Sequence, residues 1–94
     1  MKKLKGTTVT GFSFEIDEEA RDDMELLERL VDMSKGDLTA LPDVLISLLG
    51  EKQKKALYDH CRGKSGRVSS KAVYAEIESI FDNTKAGESD TKNS

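Results

Sequence analysis

Between Ala20 and Met33 the apolar residues fall on two neighbouring stripes of a helix, and this pattern limits the fold more than any other feature. Ala20, Met24, Leu27 and Val31 are spaced four, three and four apart, which stacks them on one face. Leu26, Leu30 and Met33 form a second stripe beside the first. Together the stripes span about half the circumference at about 100° per residue. So wide an arc covers more than one neighbour. A chain of 94 residues has room for a single modest domain. At this size folding hides only about 60–65% of the extended surface.

The punctuation around these stripes sets the rest. The start of the helix has two candidates. Asp17 can cap it, and so can Asp22, with Glu25 three residues later in the manner of a capping box. Lys35-Gly36 supplies the stop, since glycine tolerates the left-handed conformation. Residues Asp37 to Leu41 form a link or a short turn. Pro42 suits the first position of a new helix, where its missing N–H is harmless. That helix carries Val44, Leu45, Leu48 and Leu49 and ends at Gly50. A third helix, Glu51 to Arg62, is polar apart from Ala56, Leu57, Tyr58 and Cys61. Gly63-Lys64-Ser65-Gly66 is a loop, Val68 an apolar anchor, and Ser69 or Ser70 the cap of a fourth helix. In it Val73, Ile77, Ile80 and Phe81 make one stripe.

Ahead of the helices, Phe12, Phe14 and Ile16 alternate with Ser13 and Glu15, the period of a strand with one covered face. Thr7-Thr8-Val9-Thr10 is rich in β-branched residues and Gly11 permits a reversal, so residues 7–16 are predicted to close as a hairpin. From Asn83 to Ser94 the only apolar residue is Ala86, a composition that favours disorder. The fold class expected is mainly α: about four short helices with a short N-terminal β-type segment and a disordered C-terminal tail. The domain should occupy residues 1–82 and the tail residues 83–94. No internal repeat is present.

No constellation for chemistry emerges. A nucleophile needs a base aimed at it. His60 and Cys61 are sequence neighbours and point about 100° apart on a helix. The chain has no second histidine. Asp59, His60 and Cys61 are contiguous, so they do not converge on a metal as spaced ligands do. The acids Asp17, Glu18, Glu19, Asp22 and Asp23 lack the loop and central glycine of a calcium hand and suit a helix start instead. The loop Gly63-Lys64-Ser65-Gly66 lacks the order that wraps phosphates. No enzyme, metal or cofactor is therefore expected. No apolar run approaches the roughly 18 residues of a bilayer span. Met1-Lys2-Lys3-Leu4-Lys5 begins like a signal peptide, but Gly6-Thr7-Thr8 follows in place of an apolar core, so secretion is not expected. Cys61 has no partner for an internal disulfide, which fits a reducing cytoplasm.

Charge is divided. From Glu15 to Asp43 eleven acids face three bases, a net of −8, and from Lys52 to Lys71 seven bases face one acid, a net of +6. Two such regions either pair head to tail between copies, closing a ring or a spiral, or remain solvated faces. Nucleic acid is the weaker partner. Gly66-Arg67-Val68-Ser69-Ser70-Lys71-Ala72-Val73 has the form of the start of a recognition helix, giving a small DNA-binding regulator built on the last two helices. Yet that helix sets Glu76, Glu78 and Asp82 against Lys71, and phosphates demand the opposite sign. Phe12 and Phe14 are either core or an edge that adds a strand to a partner.

The order of segments resembles one known family. Phe12-Ser13-Phe14-Glu15-Ile16-Asp17 leads into Asp22-Asp23-Met24-Glu25-Leu26-Leu27-Glu28, then Leu48-Leu49-Gly50-Glu51, Gly66-Arg67-Val68 and Ile77-Glu78-Ser79-Ile80-Phe81. This is similar to small tail assembly chaperones of long-tailed phages and prophages of Gram-positive bacteria, from about Thr7 to Asp82. The Asp-Asp-Met-Glu-Leu-Leu-Glu run is the most specific part. The resemblance implies a non-catalytic protein of the host cytoplasm. It binds the tape-measure protein, keeps it soluble and helps recruit tail tube subunits. It also implies a longer frameshifted product joined near Asn83. The family supplies no catalytic residues to carry over. A holder of a long helical client needs apolar surface framed by charge, so Leu26, Leu30 and Met33, with Phe12 and Phe14, are the protein-binding residues expected.

Overall fold

In the computed structural model the backbone is described for residues 2–93 and the side chains for residues 2–84. The architecture is mainly helical, with four α-helices and an N-terminal two-stranded hairpin. Strands β1 (Lys3–Thr7) and β2 (Ser13–Asp17) pair antiparallel, with Leu4 opposite Ile16 and Gly6 opposite Phe14. The alternation of Phe12, Phe14 and Ile16 located the second strand. The first lies earlier than the β-branched run suggested. Thr8 to Phe12 forms the reversal instead. Thr8 N–H donates to the Phe12 carbonyl and Gly11 N–H to the Thr8 carbonyl, each at 2.9 Å. Gly11 has φ 98°, the glycine step that closes a three-residue hairpin loop. The threonines are held in this turn because their hydroxyls are claimed by the last helix, as described below.

Helix α1 (Glu18–Arg21) is a single turn, and α2 (Met24–Ser34) carries the two stripes. Neither expected cap operates on α2. The amides of Asp22 and Asp23 bond back to the Glu19 and Ala20 carbonyls, so α1 must finish before a new helix can open. Asp23 then caps α2, its carboxylate accepting from Glu25 N–H at 2.9 Å and Leu26 N–H at 3.3 Å. The stop falls where Lys35-Gly36 placed it. Gly36 N–H reaches the Met33 carbonyl at 2.9 Å and Asp37 N–H the Asp32 carbonyl at 3.1 Å, with Gly36 at φ 106°. This is a Schellman ending.

A 3₁₀ turn over Leu38–Ala40 follows, capped by Asp37, which accepts from Thr39 N–H and its hydroxyl. Those two bonds hold the Asp37 carboxyl below its ordinary range, the hydroxyl contributing more. Helix α3 (Leu41–Cys61) has Pro42 in its first turn and is broken at Gly50, where φ is 81° and ψ 167°. It is thus two helical segments, as the glycine foretold. The first buries Leu41, Val44, Leu45, Leu48 and Leu49; the second buries Leu57. Helix α4 (Ser70–Asn93) begins at Ser69, whose hydroxyl accepts from Ala72 N–H at 3.2 Å.

One core joins Phe12, Phe14 and Ile16 of the hairpin to Leu26 and Met33 of α2, to α3, and to Val73, Ile77 and Ile80 of α4. Arg21 lies 4.6 Å from the Phe81 ring and donates to the Thr84 hydroxyl. Asn83 and Thr84, assigned to the polar tail by composition, are therefore tied to the domain. The side chains from residue 85 on, where the rest of that tail falls, lie outside the described residues. Among the described residues no helix is long and apolar enough to cross a membrane.

Candidate functional site

The second helix presents its two stripes in the opposite sense to that expected. Leu26 and Met33 are only 1% and 2% exposed, and Leu30 is half-buried against the core. Phe12 and Phe14 are buried as well. None of these offers a free surface. The stripe left uncovered is the other one: Met24 is 66% exposed and Val31 50% exposed. Leu27, half-buried, lies between them and stands apart from the core cluster. Both stripes have comparable hydrophobicity. The packing of α2 against α3 and the 3₁₀ turn decides which one is consumed.

Met24, Leu27 and Val31 form a seam about 10 Å long at 1.5 Å per residue. Glu25, Glu28 and Asp32 are that row advanced by one residue, so they lie about 100° further round the helix. All three acids are exposed. The row set back by one residue contains Leu26 and Leu30, which turn toward the core. The seam is thus bordered by the core on one side and by acids on the other. Among the described residues the ion pairs are Lys2–Glu18, Lys3–Asp17 and Arg62–Asp59. The acids of α2 and the lysines of α3 therefore do not neutralise one another within the chain.

The hairpin edges are closed by side-chain amides. Gln53 accepts from Glu15 N–H at 2.8 Å and donates to the Glu15 carbonyl at 2.6 Å, standing in for a neighbouring strand. It also donates to the Leu49 carbonyl at 2.9 Å, beside the break in α3. On the other edge Asn83 donates to the Thr7 carbonyl at 2.9 Å. Strand addition next to Phe12 and Phe14 is obstructed for this reason.

A polar cluster joins the hairpin turn to the last helix. Glu76, 4% exposed, accepts from the hydroxyls of Thr8 and Thr10, each at 2.7 Å. Thr10 lies 2.9 Å from His60 Nε2. Since its proton goes to Glu76, Thr10 accepts from His60. The His60 ring also lies 5.5 Å from that of Phe12. The two threonine hydroxyls thus tie the turn to α4 through Glu76, and His60 ties it to α3. Cys61 is not activated: burial, then the Glu76 charge, pushes its thiol above the ordinary range. The sequence did hold a sign of this cluster. Glu76 sits three residues after Val73 and four before Ile80, on the apolar stripe.

The basic region centres on the second part of α3. There Lys54 Nζ lies 5.5 Å from the Tyr58 ring. Glu51, Lys54, Lys55 and Tyr58 line an open depression of about 290 Å³. Among the described residues no group of three or more His, Cys, Asp or Glu side chains is placed to hold a metal ion. Comparison with known protein families, with curated proteins and with solved structures gives no match.

Proposed function

We propose that this chain is a phage tail assembly chaperone, a non-catalytic protein that holds the tape-measure protein in the host cytoplasm and helps bring tail tube subunits to it. The observation that carries this reading is the uncovered seam of Met24, Leu27 and Val31 beside its row of acids. Apolar side chains in a continuous row on an otherwise charged helix mark a contact surface. The order of sequence segments that resembles the tail chaperones supports the same role. The polar cluster around Glu76 adds to the reading, since its groups are engaged with one another and serve the fold.

Co-expression with the tape-measure protein tests it. The Leu27→Glu, Val31→Glu double variant should keep its helix content and lose co-purification with the tape measure. Leu30→Glu, by contrast, should unfold the domain, because Leu30 packs on the core. Undiminished recovery of the tape measure with the double variant would remove the seam from the function.

A further inference from the structure

We infer that the seam on α2 takes an amphipathic helix whose apolar stripe is flanked on one side by a row of lysines or arginines. The inference rests on the proposed holding function and specifies the chemistry of the segment held. Three observations carry it. The first is the order of rows around α2: core, then Met24, Leu27 and Val31, then Glu25, Glu28 and Asp32. A partner lying along the seam touches the acids with only one of its flanks, because the other flank meets the body of the domain. The second is the absence of any ion pair from these acids among the described residues. Their charge is available to a partner. The third is the obstruction of both hairpin edges by Gln53 and Asn83. An extended segment finds each ladder interrupted there, at Glu15 on one edge and at Thr7 on the other, whereas a helix arrives with its own backbone satisfied and needs only side-chain contacts.

A second copy of the chain is a poorer occupant. Its basic helical segment places Lys52, Lys55 and Asp59 in one exposed row, so an acid interrupts the bases. Beside that row only Ala56 and the half-buried Tyr58 are apolar. That is no match for a seam of methionine, leucine and valine. Seated on the seam, the inferred partner buries its stripe on Met24, Leu27 and Val31 and sets its cations against the acids. The charges fix which way round it lies more than they add to affinity.

Three synthetic amphipathic peptides of about 18 residues, roughly five turns, test the inference. All share one leucine stripe. One carries lysines along a flank, one carries glutamates there, and one carries the lysines along the opposite flank. With the intact chain at low salt, the first should bind about tenfold more tightly than either of the others, as expected for a few exposed charge pairs. The advantage should fade at high salt. In the variant Glu25→Lys, Glu28→Lys, Asp32→Lys, with helix content unchanged, the preference should pass to the glutamate peptide. Equal binding of all three peptides, or a preference untouched by the charge reversal, overturns the inference. So does oligomerisation of the chain alone that Met24→Ser, Val31→Ser abolishes, since the seam would then belong to a second copy. Failure of the two readings is separable. A lysine preference without tape-measure co-purification refutes the tail function alone. Co-purification without charge preference refutes this inference alone.

Discussion

Replacing Gly50 by alanine should destabilise the protein, and the sign of the effect discriminates between a broken and a continuous α3. Gly50 has φ 81° and ψ 167°, a region that is nearly closed to any residue with a Cβ. Holding a non-glycine residue there requires about 1–3 kcal/mol. A Cβ at this position would meet nothing within 4 Å, so no clash adds to that strain. Alanine also restricts the unfolded chain, a gain of about 0.4–1 kcal/mol that offsets part of it. The net loss should be about 1–2 kcal/mol. With a urea dependence of about 1 kcal/mol per molar for a domain of this size, the unfolding midpoint should fall by about 1–2 M. Were α3 one uninterrupted helix, the same substitution would stabilise it by about 1 kcal/mol, the helix propensity difference. Urea unfolding followed by far-UV circular dichroism decides. A midpoint that stays or rises refutes the break at Gly50.

Three further outcomes follow from the cluster at the hairpin turn. Glu76→Gln replaces a carboxylate that accepts two hydroxyl bonds, and should lower stability by about 1.5–3 kcal/mol in urea unfolding; an unchanged midpoint would show that the turn is held by packing alone. Cys61, its thiol raised by burial and by Glu76, should react with iodoacetamide more slowly in the folded protein than in urea at the same pH. Because the folded state keeps this proton more tightly, the associated stability is present below the ordinary thiol value of 9.0 and declines as pH climbs through the folded value. A Cys61→Ser variant should lack that alkaline component, and an identical pH profile for the two proteins would contradict the assignment.

The parts of the fold that could be read from sequence are those governed by local chemistry, such as the alternation of Phe12, Phe14 and Ile16 in β2 and the residues that start or stop a helix. Gly36, Pro42, Gly50 and Ser69 each act locally, and each does in the structure what its type dictates. The first strand was misplaced because its position depends on distant partners. Lys3 to Thr7 offers only Leu4 as an inward marker, while the β-branched run that follows looks more strand-like. Its threonines instead serve Glu76, more than sixty residues away in sequence. The seam failed for a related reason. Periodicity fixes the angle between the stripes of α2 but not which one meets α3. Leucines and methionine on both sides left propensity nothing to choose between. The acids gave no sign either, since Glu25 and Asp32 lie as far round the helix from Met24 and Val31 as from the buried Leu26 and Met33.

The two amides on the hairpin also bear on how the chain behaves when crowded. A two-stranded ribbon with bare sides invites its neighbours to join as extra rungs, the first step toward a fibril. Here Gln53 occupies the middle residue of β2, so the outward groups of Ser13 and Asp17 on either side of it cannot serve one continuous ladder. Asn83 takes the end of β1 nearest the turn, and the rest of that side bears Lys3 and Lys5. Neighbouring molecules can thus accumulate beside one another without templating a shared sheet, which leaves the exposed helix as the sticky part of the molecule.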